Sequence, residues 1–390
     1  MKILILAERF FPEEFLINDL AAEWRSAGHE VEVLTQVPSY PGDRIFSGYR
    51  NRLFQTTREF HEIPVHRVRT VLGYNTGGVK RKIVNYLSFA FWTSLWALAN
   101  GWRCDRVFAY HTGPLSMASA GMIFRFVWWR KCMIWTQDVW PDTVYSYGIR
   151  PTLPMRLFLN LVVRSIYTAF RTITVSCPGF VGKLKPYTRK KVVFLPQWTT
   201  HDTPLPPRRA DGKKIFTFAG NIGSVQNLDK VIDAFGKRNR ADAELRIVGG
   251  GIYLDRLQKQ AVDNGFRNIV FTGRRPSEEM PEYFAESDVL IISLKPEFDL
   301  TIPAKFQAYI AAGRPILGLV RGDTADLIRQ HDLGLVADPA DEAAIGRAFD
   351  AMCEAPAARF ADWREHALAL SRDEFSREKT IRNMTNLLVH

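Results

Sequence analysis

Lys305 occupies a position that asks for a chemical reason. It falls in the first turn of a helix legible from its punctuation, Thr301-Ile302-Pro303-Ala304-Lys305-Phe306-Gln307-Ala308-Tyr309. Thr301 opens that helix as an N-cap with Pro303 in the first turn, and Gly313 and Pro315 stop it. The partial positive charge at a helix N-terminus favours anions by about 0.3–1 kcal/mol. A cation there makes sense when a diphosphate lies between it and the free N–H groups; a solvated lysine is the plain alternative. A second phosphate signal precedes it. The strand KIFTFAG, ending in Gly220, runs into Asn221-Ile222-Gly223-Ser224 and then a helix near Gln226. Glycines after a strand let the backbone approach a phosphate, and the next helix start supplies donors. Many strand–helix turns use glycine for geometry alone, and Gly249-Gly250-Gly251 reads as such a turn. Arg274 and Arg275 follow the strand NIVFTG; they either bind a base or phosphate, or pair with Glu278 and Glu279.

The first half offers a carboxylate. Asp138 follows the strand KCMIWT in Gln137-Asp138-Val139-Trp140-Pro141-Asp142. At the carboxyl end of a parallel strand it is placed to bind a sugar hydroxyl or receive a proton. Capping the next segment is the duller role, and it suits Asp142 better. His111, after RVFAYH, is similarly placed, although a lone histidine is more often structural. No His, Cys or Asp cluster has metal spacing, and neither a Gly-x-Ser-x-Gly nor a Gly-Lys-Ser/Thr loop is present.

These residues need strand ends to hold them. Apolar strands are readable at 2–7, 30–35, 106–112, 131–136, 172–176 and 191–196, with helical patterns at Glu14–Ala27, Lys82–Ala99 and Met155–Phe170. Continuous apolar strands joined by helices imply parallel sheets covered on both faces. QWTTHDTPLPPRRADGKK (197–214) lacks periodicity and reads as an interdomain linker. Strands then resume at 214–220, 244–250, 268–273, 289–294 and 315–320. The architecture expected is α/β, two doubly wound Rossmann-like units of similar size, with ligands beyond the carboxyl ends of the strands.

At 390 residues the chain suits two domains, and 46% hydrophobic with 24% charged residues excludes a disordered chain. The four cysteines are far apart, which fits reduced thiols in a cytoplasmic protein. KILILA is too short for a secretory signal. Ile83–Trp102 carries no charge and reaches spanning length, but scattered polar residues make it a buried or interface-lying helix. Residues 1–200 hold 26 Lys/Arg against 13 Asp/Glu, whereas residues 201–390 hold 26 against 28. No acidic residue lies between Asp142 and Asp202, and FRFVWWRK (124–131) and MRLFLNLVVRSIYTAFR (155–171) mix aromatic and basic residues. That mixture favours peripheral contact with an anionic membrane over nucleic acid; a solvated basic surface over an aromatic core is the alternative.

Taken together, several segments resemble glycosyltransferase family 4, in particular the bacterial N-acetyl-L-fucosamine transferases of O-antigen and capsule assembly. The resemblance runs through FPEEFLINDLAAEWRSAGHEVEVLT, PSYPGD, VNYLSF, WTQDVWPD (135–142), AGNIGSVQNLD (219–229), TIPAKFQAYIAAGRPI (301–316) and FSREK (375–379). It implies a GT-B fold and a metal-independent, cofactor-free transferase that retains anomeric configuration. The implied domains are 1–197 for the acceptor, 198–370 for the nucleotide sugar, and a last helix in 371–390 crossing back to the first. Gly220, Asn221 and Gly223 would lie beside the donor diphosphate, Thr301, Ile302 and Lys305 under the phosphates, and Arg274 against the base. Asp138 would face the donor sugar, with His111, Gln137 and Trp140 on the acceptor or sugar side. The expected partners are a UDP-sugar and a polyprenyl-diphosphate-linked saccharide at the inner face of the plasma membrane.

The chain also departs from that pattern. Two glutamates usual in the family fall at Leu300 and Ala308, with Asp299 and Gln307 adjacent. The usual arginine–lysine pair falls at Asn221 and Gln226, which leaves more for Lys305 and Arg274 to do. The usual histidine before the acidic residue is Gln137. Other readings are a nucleotide-sugar epimerase of the same architecture and a non-catalytic binder of membrane or nucleic acid.

Overall fold

The computed structural model describes residues 1–40, 42–73, 78–142, 152–200, 203–208 and 212–390. It divides into two compact units, Met1–Leu195 with Ile381–His390, and Pro196–Thr380.

The first unit is built on one sheet. Its elements are β1 (Lys2–Ala7), α1 (Leu16–Ser26), β2 (Glu30–Gln36), β3 (Phe54–Phe60), β4 (Ile63–Val68), α2 (Gly78–Asn100), β5 (Arg106–His111), α3 (Ala120–Phe126), β6 (Lys131–Thr136), α4 (Leu153–Thr168), β7 (Thr172–Val175), α5 (Pro178–Leu184) and β8 (Val192–Phe194). The strand order is β3-β4-β2-β1-β5-β6-β7-β8. The centre is parallel: Ile3 of β1 pairs with Val31 of β2 on one side and Arg106 of β5 on the other. β1 buries every residue after Lys2, because an apolar run with no alternation needs cover on both faces. The topology reverses between β1 and β5, and the loops after those two strands diverge there, which is where open α/β sheets bind ligands.

One edge departs from the expected all-parallel pattern. β3 pairs antiparallel with β4, Phe54 opposite Val68. The connecting residues His61 and Glu62 both have left-handed backbones, φ +47° and +56°. Two-residue hairpins need that geometry, but they normally announce it with Asn or Gly.

The second unit holds β9 (Lys214–Ala219), α6 (Leu228–Gly236), β10 (Ala243–Val248), α7 (Leu254–Asp263), β11 (Ile269–Gly273), α8 (Met280–Ala285), β12 (Val289–Ser293), α9 (Ala304–Ala311), β13 (Ile316–Leu319), α10 (Gly322–Gln330), β14 (Gly334–Ala337), α11 (Glu342–Glu354) and α12 (Ala357–Asp373). Its sheet is parallel throughout, in the order β11-β10-β9-β12-β13-β14. Phe216, Phe235 and Phe349 meet edge to face, with centroids 4.9–5.9 Å apart, and join β9 to α6 and α11. Both units therefore have the doubly wound α/β architecture expected.

Residues 201–202 and 209–211 of the linker reading lie outside the described residues. The described part is not a free tether. Arg314 donates to the carbonyls of Pro206 (2.9 Å), Phe284 (2.8 Å) and Ala285 (3.0 Å), while Leu205 N–H donates to Ala312 O. Arg208 pairs with Asp288 at 2.6 Å. Proline and charge there mark a strap tied to the second unit.

The last helix, α13 (Arg377–Val389), ends within the first unit. There Trp24 Nε1 donates to Thr385 Oγ1 at 2.8 Å, and Arg106 donates to the carbonyls of Leu388 and Val389. Among the described residues no helix is long and apolar enough to cross a membrane.

Candidate active site

Three strand ends and one helix build the cluster in the second unit. β9 ends at Ala219, and the chain turns through Gly220, Asn221, Ile222 and Gly223, where Gly223 N–H donates to Gln226 Oε1 at 3.0 Å. The Gly249-Gly250-Gly251 run after β10 packs against that turn. Gly220 N–H donates to Val248 O and Ile222 N–H to Gly250 O, both at 2.9 Å. A Cβ on Gly249 would lie 1.9 Å from Gly220 O, and one on Gly251 would lie 2.3 Å from Ile222 O. Both have left-handed backbones, φ +146° and +156°. The triple glycine is thus the close-packed floor of the Gly220 loop rather than a plain turn. Beside it, Gly249 N–H donates to Gly273 O at 2.9 Å, which sets the exposed Arg274 next to the same loops.

α9 completes this arrangement. Its N-cap is Pro303, not the expected Thr301, because a proline pushes the residue before it to extended backbone and delays the helix. Thr301 contributes its carbonyl, which accepts from Thr324 Oγ1 at 2.5 Å, and Asp323 N–H donates to Asp299 O at 2.9 Å. Ile302 is buried. The hydroxyl of Tyr309 accepts from Ala219 N–H at 3.3 Å, fixing α9 against the end of β9. One turn earlier on the same helix, Lys305 projects to Gly220, whose Cβ position would be 3.1 Å from Nζ.

The Lys305 ammonium is buried with no hydrogen-bond partner among the described residues and stands 3.5 Å from the centroid of the Phe218 ring. Burial pushes its pKa down to about 7. A charged group in that environment is costly unless an anion or a ring of acceptors meets it. The aromatic face gives part of that compensation. Gln307, beside one family glutamate position, is buried; oriented by its surroundings, its amide nitrogen donates to Ala304 O and Pro303 O, so it serves the helix start.

In the first unit the ends of β2, β1, β5 and β6 carry Gln36, Glu8, His111 and Asp138. Glu8 is a residue that sequence reasoning missed. It is buried, its carboxylate lies against the backbone of Gly113 (2.6 Å from the Cβ position there), and Gln36 Nε2 donates to it at 3.5 Å. Arg9 stands 3.6 Å from Glu8 and 3.5 Å from Glu13, whose carboxylate accepts from the N–H groups of Ser39 and Tyr40. Burial raises the Glu8 pKa against the opposing pull of Arg9. Asp138 is partly buried and pushed up to about 6, first by burial and then by the charge of Glu8. The charge of Glu8 thus acts on Asp138 across the end of β5.

His111 is wholly buried at the end of β5, and burial lowers its pKa to about 4 against a weaker opposing pull from the Gly113 backbone. Its carbonyl accepts from Gln137 N–H at 2.8 Å. Asp138, Gln137 and Trp140 keep partial exposure. Among the described residues no group of three or more His, Cys, Asp or Glu could hold a metal ion.

Two Rossmann-type units, each presenting its loops at strand carboxyl ends, define the chain as a GT-B protein. It aligns over its whole length with all of HepE from Anabaena, solved in complex with UDP, at a TM-score of 0.73 and 14% identity. Residues 16–198 match the family described as glycosyl transferase 4-like domain, and residues 213–355 that described as glycosyl transferases group 1. The chain belongs to the group 1, family 4-like glycosyltransferases. It is 24% identical over 259 residues to the probable glycosyltransferase WbjE of Pseudomonas aeruginosa, a match covering 62% of this chain and 65% of that protein. It is 25% identical over 338 residues to the putative colanic acid biosynthesis glycosyl transferase WcaI of Escherichia coli K12, covering 80% and 82%.

Proposed function

We propose that this chain transfers a sugar from a nucleotide diphosphate, UDP foremost, to a hydroxyl of a polyprenyl-diphosphate-linked saccharide in surface polysaccharide assembly. The second unit binds the donor and the first presents the acceptor side at the inner face of the plasma membrane. The single observation that carries this reading is the buried Lys305 ammonium beside Gly220. An ammonium held between an aromatic ring and glycine backbone at a helix start suits a diphosphate, which supplies the missing counter-charge. The leaving nucleotide is then stabilised by fixed donors, the kind of preorganised electrostatics that usually provides the largest share of catalysis. Asp138 orients the transferred sugar; the bond from its anomeric carbon to the diphosphate breaks, the acceptor hydroxyl forms the new bond on the same face, and the hydroxyl proton passes to the departing phosphate. Arg274 lies against the base.

The motif resemblance supports a donor such as the UDP derivative of an N-acetylated deoxyhexosamine. The name of WcaI, a putative colanic acid biosynthesis glycosyl transferase, supports polysaccharide synthesis, and the UDP bound by HepE supports the nucleotide. A thermal-shift panel with UDP, GDP, ADP and TDP tests the donor, since a ligand that binds only the folded state raises the melting temperature. UDP should give the largest shift; no response to any of the four would end the reading.

A further inference from the structure

One face of the first unit is built against the rule for a helix in water. α2 turns Asn85, Phe89, Thr93, Trp96 and Ala97 inward, where all five are buried. The opposite side should be polar on a water-facing helix. Instead it carries Ile83, Leu87, Phe91, Leu95 and Leu98, recurring every three or four residues, and all are exposed. Leu87 is 58% and Phe91 56% exposed.

The same inversion recurs on the helices packed beside it. α2 packs on α3, and the two are clamped by Trp128 Nε1, which donates to Ala97 O at 2.8 Å. Just past α3, Trp129 is 77% exposed. α3 in turn adjoins α4, whose Leu157, Phe158 and Leu161 are each more than 60% exposed. Single exposed apolar residues need no explanation, but rows of them on two helices do, the more so where the helix between them ends in exposed Phe126, Val127 and Trp129.

The charge around this face selects its occupant. From residue 78 to residue 201 the sequence holds 17 Lys/Arg and only three acidic residues, Asp105, Asp138 and Asp142. Exposed Arg81 and Arg103 flank α2, and exposed Arg156 and Arg164 flank the apolar row of α4. A second copy of the same face would bring cations against cations. A bilayer rich in acidic headgroups answers both features, since acyl chains take the rows and lipid phosphates take the cations.

We infer that α2, α3 and α4 form an in-plane seat for an anionic lipid bilayer. It rests on, and localises, the reading that the acceptor is lipid-linked. On that seat α2 lies along the head-group boundary, with Trp102 and Trp129 at the depth where indole rings settle.

The test uses the full chain and flotation with vesicles of phosphatidylcholine alone or with phosphatidylglycerol added. Binding is expected only with the anionic lipid, and it should weaken as salt rises. L87E and F158E, both on exposed positions, should each lower vesicle affinity by about tenfold or more. Equal binding to neutral vesicles would overturn the inference. So would unchanged binding in both variants, or sedimentation showing that these residues hold a dimer while no vesicle is bound. The UDP-induced thermal shift of the same variants serves as the fold control and separates the two readings. Vesicle binding without nucleotide binding sinks the donor proposal and spares this one; nucleotide binding without vesicle binding does the reverse.

Discussion

The Lys305 ammonium and the centroid of the Phe218 ring meet at 3.5 Å, on α9 and β9 respectively, with no hydrogen-bond acceptor on the nitrogen among the described residues. An arrangement that weakens the free protein is retained where a ligand makes up the difference. Replacing Lys305 with Met keeps the chain length and removes the charge. The free protein should melt several degrees higher at neutral pH, because the dehydration of a buried cation is relieved. Nucleotide binding should fall at least about tenfold, roughly the worth of one charge-assisted contact. A lower melting temperature in Lys305→Met would show that the amine stabilises the fold and is not held for a ligand.

The same lysine ties binding to pH. Its pKa is about 7 in the free fold and 10.5 for an unperturbed lysine. Between those values the unfolded chain binds more protons, so stability should rise with pH across that window, and this slope should vanish in Lys305→Met. A diphosphate restores the charged form. Nucleotide binding should therefore take up close to one proton near pH 8 and almost none near pH 6. Calorimetry in buffers of different ionisation enthalpy measures this directly, and equal uptake at both pH values would remove Lys305 from the phosphate site.

The glycine floor makes a sharper steric prediction. Gly249→Ala places a Cβ 1.9 Å from Gly220 O on a left-handed backbone. The backbone strain alone costs about 1–3 kcal/mol, and the loop must also move. Gly250→Ala has the Arg274 Cβ as its nearest neighbour, at 3.3 Å, and is not in the left-handed region. Denaturant unfolding should find the first variant clearly destabilised and the second close to the parent. Nucleotide affinity should follow the same order.

What the sequence revealed follows its own physics. β1, β6 and β12 were legible because strands buried on both faces read as unbroken apolar runs. β3 was missed because FQTTREF lies at a sheet edge, largely exposed, and need not be apolar. Its hairpin was missed because His61 and Glu62 adopt a turn geometry that their types do not advertise. Lys305 stood out locally, as a cation at a helix start. Glu8 did not, since a carboxylate after a strand is ordinary until strand order brings the ends of β2, β1, β5 and β6 together. The exposed face of α2 was half legible: composition marked an apolar helix, but only the packing shows which side is left outside.

The Glu8–Asp138 pair gives the pH dependence of turnover. Asp138 is raised to about 6 by burial first and by Glu8 second. In the folded protein it therefore holds its proton more tightly than in the unfolded chain, whose reference value is 3.8. Its contribution to stability is full below that reference value and is lost as pH rises through the window up to about 6. If the sugar is oriented by the ionised carboxylate, turnover should fall as pH drops below about 6. Glu8→Gln removes the secondary cause and leaves the burial. The acid limb of the kcat profile should then move to lower pH by a part of the total shift, while the limb in Asp138→Asn should disappear along with most of the activity. The conservative amide keeps the contact with Gly113, so a merely structural role for Glu8 would leave the limb where it is. A limb unmoved in Glu8→Gln would mean that the two carboxylates titrate independently, and that Asp138 owes its raised pKa to its buried setting alone.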